Sequence, residues 1–310
     1  MDSEFSLQPE SLSMFRLPAV EIKRRVWNGK DGIAVMEQAE KLREGIGKIL
    51  TRANGTWGVV VRECGREVCF EHLPDLPFIA ESVIKVPIMA AVYAACAQGH
   101  LSLDERIPLR REDQVGGSGV LSALAPGLRL TVRDLVTLMI IQSDNTATNM
   151  LIDRVGKERI ERTMRELGME RSKYSRKLMI YPADVAENNM ITARDVARML
   201  NRLAEGSFLT PRACEEMVGI LKKQQYLNGL PSLLPRVPSP NGKEEQATDW
   251  AMACKSGWDT GRRHDAGILY TQGRCFVIAA LSQDVEDLEA QEMLGLLGRE
   301  VYEFARASEK

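Results

Sequence analysis

The chain is poor in the residues that hold metals. Its 310 positions include only three histidines, His72, His100 and His264, far apart and outside any H-E-x-x-H pattern. Its six cysteines, Cys64, Cys69, Cys96, Cys214, Cys254 and Cys275, show no C-x-x-C spacing. A structural zinc and a hydrolytic metal centre therefore find no support, and nothing points to an organic cofactor. The cysteines read as buried free thiols. Strand alternation would turn Cys254 away from its neighbour Lys255.

Long apolar runs are missing too. Even Val83 to Ala97 falls short of the roughly 18 continuous apolar residues of a membrane span, and Lys85 interrupts it. No excess of one charge exists: 41 basic and 43 acidic residues leave a net charge of -2. Without a basic run interleaved with aromatics, a small-molecule or peptide partner is expected rather than nucleic acid. Residues 1–31 form a polar leader without a basic-then-apolar export signal, so the chain reads as soluble, its compartment and oligomeric state open. Aromatics make up 5%, but 44% hydrophobic residues suffice for a sizeable core.

What is present falls into an order. Apolar residues at helical spacing run from Gly32 to Ala53 and stop before Asn54-Gly55. Two β-rich runs between Thr56 and Leu73 flank a Cys64-Gly65 turn and predict a hairpin. Helical patterns then cover Ser82 to Gln98, Val132 to Ser143, Thr146 to Val155, Lys157 to Leu167 and Thr192 to Leu203, the last capped by Thr192. A proline- and glycine-rich stretch from Asn228 to Trp250 predicts a surface loop. Three strands follow, Trp250 to Trp258, Asp265 to Thr271 and Arg274 to Gln283, and a helix from Leu288 to Ala307 closes the chain. This order predicts an α+β fold: a five-stranded antiparallel sheet flanked by N- and C-terminal helices and interrupted by an all-α domain. The sheet domain would comprise residues 32–77 and 207–310, the helical domain residues 78–206, with a site between them.

Three short motifs carry chemistry. In "FIAESVIKVPIMAAVYAACAQG", Ser82 and Lys85 stand one helical turn apart at the head of an oily run; composition alone yields about 0.7 such pairs per chain. Ser143-Asp144-Asn145 lies between two helices, where a plain helix cap would also explain it, yet chance supplies only about 0.02 such tripeptides. Lys255-Ser256-Gly257 sits on the first strand after the loop, where a strand pair with a glycine bulge is the plain alternative. Other nucleophile patterns fail: Gly116-Gly117-Ser118-Gly119-Val120 lacks the last glycine of G-x-S-x-G.

S-x-x-K, S-D-N and K-[ST]-G in this order resemble the class A β-lactamases and penicillin-binding proteins, from about Gly32 to the end. "GSGVL" (Gly117 to Leu121) and "RHDAG" (Arg263 to Gly267) are also similar to class A sequences. Ser82, at a helix start with its own N–H free, is then the expected nucleophile. Lys85 shares its helix face and would accept the proton if burial and a second cation, Lys255, lowered its pKa. Ser143 would pass a proton to the leaving nitrogen, Asn145 would bind the acyl side-chain amide, and Asp144 would hold the turn. Lys255, Ser256 and Arg262 or Arg263 would hold a substrate carboxylate. Gly257 would let a substrate lie against the strand, and the N–H groups of Ser82 and Trp258 would form the oxyanion hole. No metal or cofactor is implied.

One expected residue is missing. Hydrolytic class A enzymes carry a deacylating glutamate after the S-D-N helices, but Ser175 to Tyr181 contains no acid. Asp184 and Glu187 lie later, as loop or capping acids or as displaced bases. Hydrolysis of β-lactam amides is the first expectation. A D-alanyl-D-alanine carboxypeptidase or an esterase of the same fold, or a non-turnover penicillin sensor, is the alternative, with a β-lactam or an acyl-peptide as the substrate. A serine-dependent glutaminase fits less well, since its middle motif carries a tyrosine.

Overall fold

The computed structural model describes residues 30–66, 68–180, 187–235 and 249–307. Helix α1 (Lys30–Arg52) leads into the hairpin β1 (Thr56–Glu63) and β2 (Val68–His72). A two-residue strand β3 (Phe78–Ile79) and a 3-10 turn (Glu81–Ile84) precede α2 (Lys85–Ala97). Strands β4 (Arg106–Pro108) and β5 (Arg129–Thr131) are followed by α3 (Val132–Ile141), α4 (Asn145–Val155) and α5 (Lys157–Glu166). Then come β6 (Met190–Ile191), α6 (Ala193–Ala204), α7 (Pro211–Leu221), the strands β7 (Trp250–Asp259), β8 (Arg262–Thr271) and β9 (Arg274–Gln283), and α8 (Asp287–Ala307).

The expected five-stranded antiparallel sheet is present, in the order β2-β1-β9-β8-β7. Its two faces feed two cores because strand side chains alternate. Trp57, Val59 and Val61 of β1, with Phe276 and Ile278 of β9, meet Leu42 and Ile46 of α1 and Leu294, Leu297 and Val301 of α8. Val60, Ile268, Val277 and Ala279 on the other face join a core with α2, α3, α4 and α6. Cys254 packs in the first core, so it does point away from the Lys255 side. Fully buried Ile88, Met89 and Val92 mark α2 as the central helix, each apolar side chain contributing about 1.5–3 kcal/mol.

Four differences from the sequence reading position the site. The helix expected from Ser82 starts at Lys85, and Ser82 sits in the 3-10 turn before it. Strand β8 starts at Arg262, because a turn at Thr260-Gly261 lets Asp259 pair with Arg262. Helix α7 was not foreseen, although Thr210 caps it and Pro211 opens it. Cys64 and Cys275 are disulfide-bonded rather than free. Pairing of β1 with β9 brings them together across 211 residues of sequence, which no local spacing reveals. The other four are in no disulfide, Cys214 and Cys254 being buried and Cys69 and Cys96 partly so. The loop expected from Asn228 lies largely outside the described residues.

Candidate active site

Three segments distant in sequence converge below one cleft. Lys85 opens α2, the central helix, buried from Lys85 to Ala95, and its side chain has no exposure to solvent. Ser143 lies between α3 and α4, and Lys255 projects from β7 toward both. The Lys85 Nζ is 3.0 Å from Ser82 Oγ, 2.9 Å from Ser143 Oγ, 2.6 Å from the Ser143 carbonyl oxygen and 2.8 Å from Asn145 Oδ1. Lys255 Nζ donates to Ser143 Oγ at 3.2 Å and to the Ser256 carbonyl at 2.8 Å.

The local fold enforces this arrangement. Ser143 takes a left-handed backbone with φ 51°, which for a non-glycine residue costs on the order of 1–3 kcal/mol and must be held by its surroundings. Asp144 does much of the holding. Its Oδ1 accepts from the Ala147 N–H as the cap of α4, and its Oδ2 accepts from the N–H groups of Val120 and Leu121. Residue 119 must be glycine there, since a Cβ would lie 2.3 Å from the Asp144 carboxyl carbon at φ +113°. Asn145 donates from Nδ2 to the Gly116 carbonyl, which fixes its Oδ1 toward Lys85.

Electrostatics follow from burial. Desolvation, and then the Lys255 ammonium, hold Lys85 well below the usual lysine pKa, against the opposing pull of Asp144 and Glu81. Lys255 falls to about 8 through burial, with Asp265 opposing. His264 is also forced down by burial, to about 4. Neutral at ordinary pH, it accepts from the Ser282 N–H at Nδ1 and so carries its proton on Nε2, which donates to the Ile79 carbonyl at 2.8 Å. That bond braces the strand leading to Ser82.

Residues 41–305 match the Beta-lactamase2 model, described as the beta-lactamase enzyme family. The chain belongs to this family. It is a class A-like beta-lactamase-family serine hydrolase, and the fold is of the beta-lactamase/transpeptidase type. It is similar to a beta-lactamase of Rhodobacter capsulatus, 27% identical over 274 residues that cover 86% of this chain and 89% of that protein. Among solved structures it resembles the beta-lactamase of Sphaerobacter thermophilus, 32% identical with a TM-score of 0.77, covering 87% and 97% of the two chains. A mutant of PBP-A, solved as an acyl-enzyme complex with penicillin G, is 25% identical with a TM-score of 0.71, covering 88% and 97%.

The family cleft here has a volume of about 840 Å³, and Ser82, Asn145, Trp258, Arg262 and Arg263 line it. Ser256 Oγ is buried without a hydrogen-bond partner, beside Lys255. At Gly257 a Cβ would stand 2.7 Å from the Ser82 backbone nitrogen and 2.9 Å from Glu81 Cβ. The strand's glycine is thus required first by close packing of β7 on the 3-10 turn. Trp258 is set edge-to-face against Tyr226 at 5.2 Å, with the Arg263 guanidinium 5.1 Å from its ring centre.

Arg262 and Arg263, expected to help hold a substrate carboxylate, both line the cleft and are both ion-paired. Arg262 donates to Glu81 at 2.6 Å and to Asp259 at 3.2 Å, while buried Arg263 donates to Asp287 at 2.7 Å. Both cations already have carboxylate partners, one of them 181 residues away. Glu81, Arg176, Leu178 and Met179 line the same cleft and were not foreseen as site residues. Arg176 reaches the Ile180 carbonyl at 3.0 Å. No acid replaces the missing glutamate in this segment. Asn149 clamps Leu178 from both sides, accepting from its N–H at 2.9 Å and donating to its carbonyl at 2.8 Å. Glu187 is exposed, and Asp184 lies outside the described residues.

Proposed function

We propose that Ser82 is acylated by β-lactams and that the acyl-enzyme is then hydrolysed, with the second step slow. The observation that carries the first half is the set of partners around Lys85. A neutral amine has two N–H groups and one lone pair. Ser143 O and Asn145 Oδ1 only accept, so they consume both N–H groups. The lone pair is left for a hydroxyl: Ser143 Oγ at 2.9 Å already accepts from Lys255, and Ser82 Oγ at 3.0 Å is the one that faces the cleft.

The steps balance. Lys85 takes the Ser82 proton as Oγ bonds to the lactam carbonyl carbon. Charge developing on the carbonyl oxygen is met by the N–H groups of Ser82 and Trp258. Glycine at 257 leaves the Ser82 N–H uncovered. The carbon–nitrogen bond then breaks, and Ser143 delivers a proton to the nitrogen and is reprotonated from Lys255 or Lys85. Ser256 Oγ, unpartnered in the protein, and the Lys255 ammonium suit a substrate carboxylate. Asn145 keeps a second amide hydrogen for an acyl side chain.

Slow hydrolysis follows from Leu178. An apolar side chain at the clamped position offers no base to a water molecule. The same observation favours a second reading, a peptidase or sensor that retains its acyl group. Intact-mass spectrometry with penicillin, run beside a chromogenic cephalosporin assay, tests both. An adduct that forms on wild-type protein, decays over minutes and is absent from Ser82→Ala supports the proposal. A permanent adduct transfers the assignment to the second reading, and no adduct overturns both.

A further inference from the structure

Glu81 immediately precedes the nucleophile and is built unlike an ordinary surface acid. Its backbone is left-handed at φ 44°, a conformation that persists only when neighbours hold it. Two contacts with the β7–β8 ribbon do so. Its Cβ packs over Gly257, where an added methyl would come within 2.9 Å. Its carboxylate accepts from Arg262 Nε at 2.6 Å, with side-chain exposures of 15% for Glu81 and 27% for Arg262. Arg262 is itself anchored to Asp259 across the β7–β8 turn.

We propose that Glu81 is a positioning residue of the acylation step, its carboxylate strapping the strained turn that carries Ser82 to Arg262 on β8. The proposal rests on Ser82 being the acylated residue. It deepens that reading by assigning a second task to an acid that touches no reacting atom. The strap aims both the Ser82 hydroxyl and the Ser82 N–H, because both belong to the turn it holds.

Glu81 also acts at a distance. The charged groups acting on Lys85 are Lys255 from β7, Asp144 from the start of α4 and Glu81 from its own turn. Those acting on Glu81 are Arg262 from β8, Asp259 from β7 and Arg176. The Glu81 charge favours the Lys85 ammonium and so opposes the base. Acylation should rise with pH as Lys85 loses its proton. Removing the charge should move that rise to lower pH.

The test is the rate of penicillin acylation against pH for Glu81→Ala, Glu81→Gln, Arg262→Ala and the double alanine variant. Loss of the strap should lower the plateau rate about 10- to 100-fold, as expected for a misplacement near 1 Å, with the dissociation constant for penicillin changed less than about twofold. The double variant should be no slower than the slower single, since both remove one contact. Glu81→Gln keeps a hydrogen bond and should recover most of the plateau rate while keeping the shifted rise. Plateau rates within twofold of wild type in Glu81→Ala, or single effects that multiply in the double variant, overturn the proposal. If Glu81→Ala does not fold, Arg262→Ala removes the same contact from its other end, and a plateau rate within twofold of wild type there overturns the proposal instead. If wild-type protein takes no penicillin, the functional reading fails separately, and labelling of Ser82 by a fluorophosphonate then measures the same strap.

Discussion

At the scale of the residue, the site depends on an amine with no solvent around it. Lys85 was legible in the sequence because its signal is local: three residues from a serine, inside a run too apolar for a lysine without a task. The three motifs were legible for the same reason. Arg262 and Arg263 were legible as cleft residues but their ion pairs were not, because the carboxylates that meet them, Glu81 and Asp287, are brought there by the fold. Glu81 was invisible for the converse reason, since its partner lies 181 positions away. Lys85→Ala should lower the rate of Ser82 acylation about 100- to 10,000-fold, the range of a lost general base. Stopped-flow measurement with a chromogenic cephalosporin reads it, and a variant acylating at the wild-type rate would remove Lys85 from the mechanism.

At the scale of the element, long periodic segments were legible and short ones were not. Helices α2 to α6 and strands β7 to β9 announce themselves by apolar spacing and caps such as Thr192, whose hydroxyl accepts from the Asp195 N–H at 3.2 Å. Strands of two or three residues have no period, and β3 and β6 are defined by long-range pairing, Phe78 with Ile191 and Ile79 with Met190, with Lys173 also bridging Met190. The segment from Ser175 to Ile180 shows how backbone anchoring sets chemistry. Asn149 fixes the Leu178 backbone as two hydrogen bonds would fix any residue there, so the clamp is indifferent to the side chain. Leu178→Glu should therefore keep the backbone in place and put a carboxylate at the cleft. The expected result is a penicillin adduct on Ser82 that decays at least about tenfold faster than in wild type, the modest end of general-base assistance. Adduct lifetimes that coincide would show that the position cannot serve water, and the slow step would need another cause.

At the scale of the whole molecule, what the chain could not display is how its ends meet. The order of elements implied an antiparallel sheet, but only the folded structure places β9 between β1 and β8. That placement carries two consequences. One sheet face supports the cleft while the other is closed by α1 and α8, and α8 reaches the cleft with Asp287, its first residue, which pairs with Arg263. The other consequence is the Cys64–Cys275 bridge, which joins neighbouring strand ends across a sequence separation of 211. A loop that long forfeits on the order of 5 kcal/mol of chain entropy when cross-linked in the unfolded state, and native bridges commonly return about 2–4 kcal/mol of it. Replacing Cys64 and Cys275 together by serine should lower unfolding stability by that smaller amount. Urea titrations with and without dithiothreitol measure it. Wild type should lose stability on reduction, while the double serine variant should give the same midpoint in both buffers. Wild-type curves that overlap with and without reductant would mean that pairing of β1 with β9 holds the sheet together unaided.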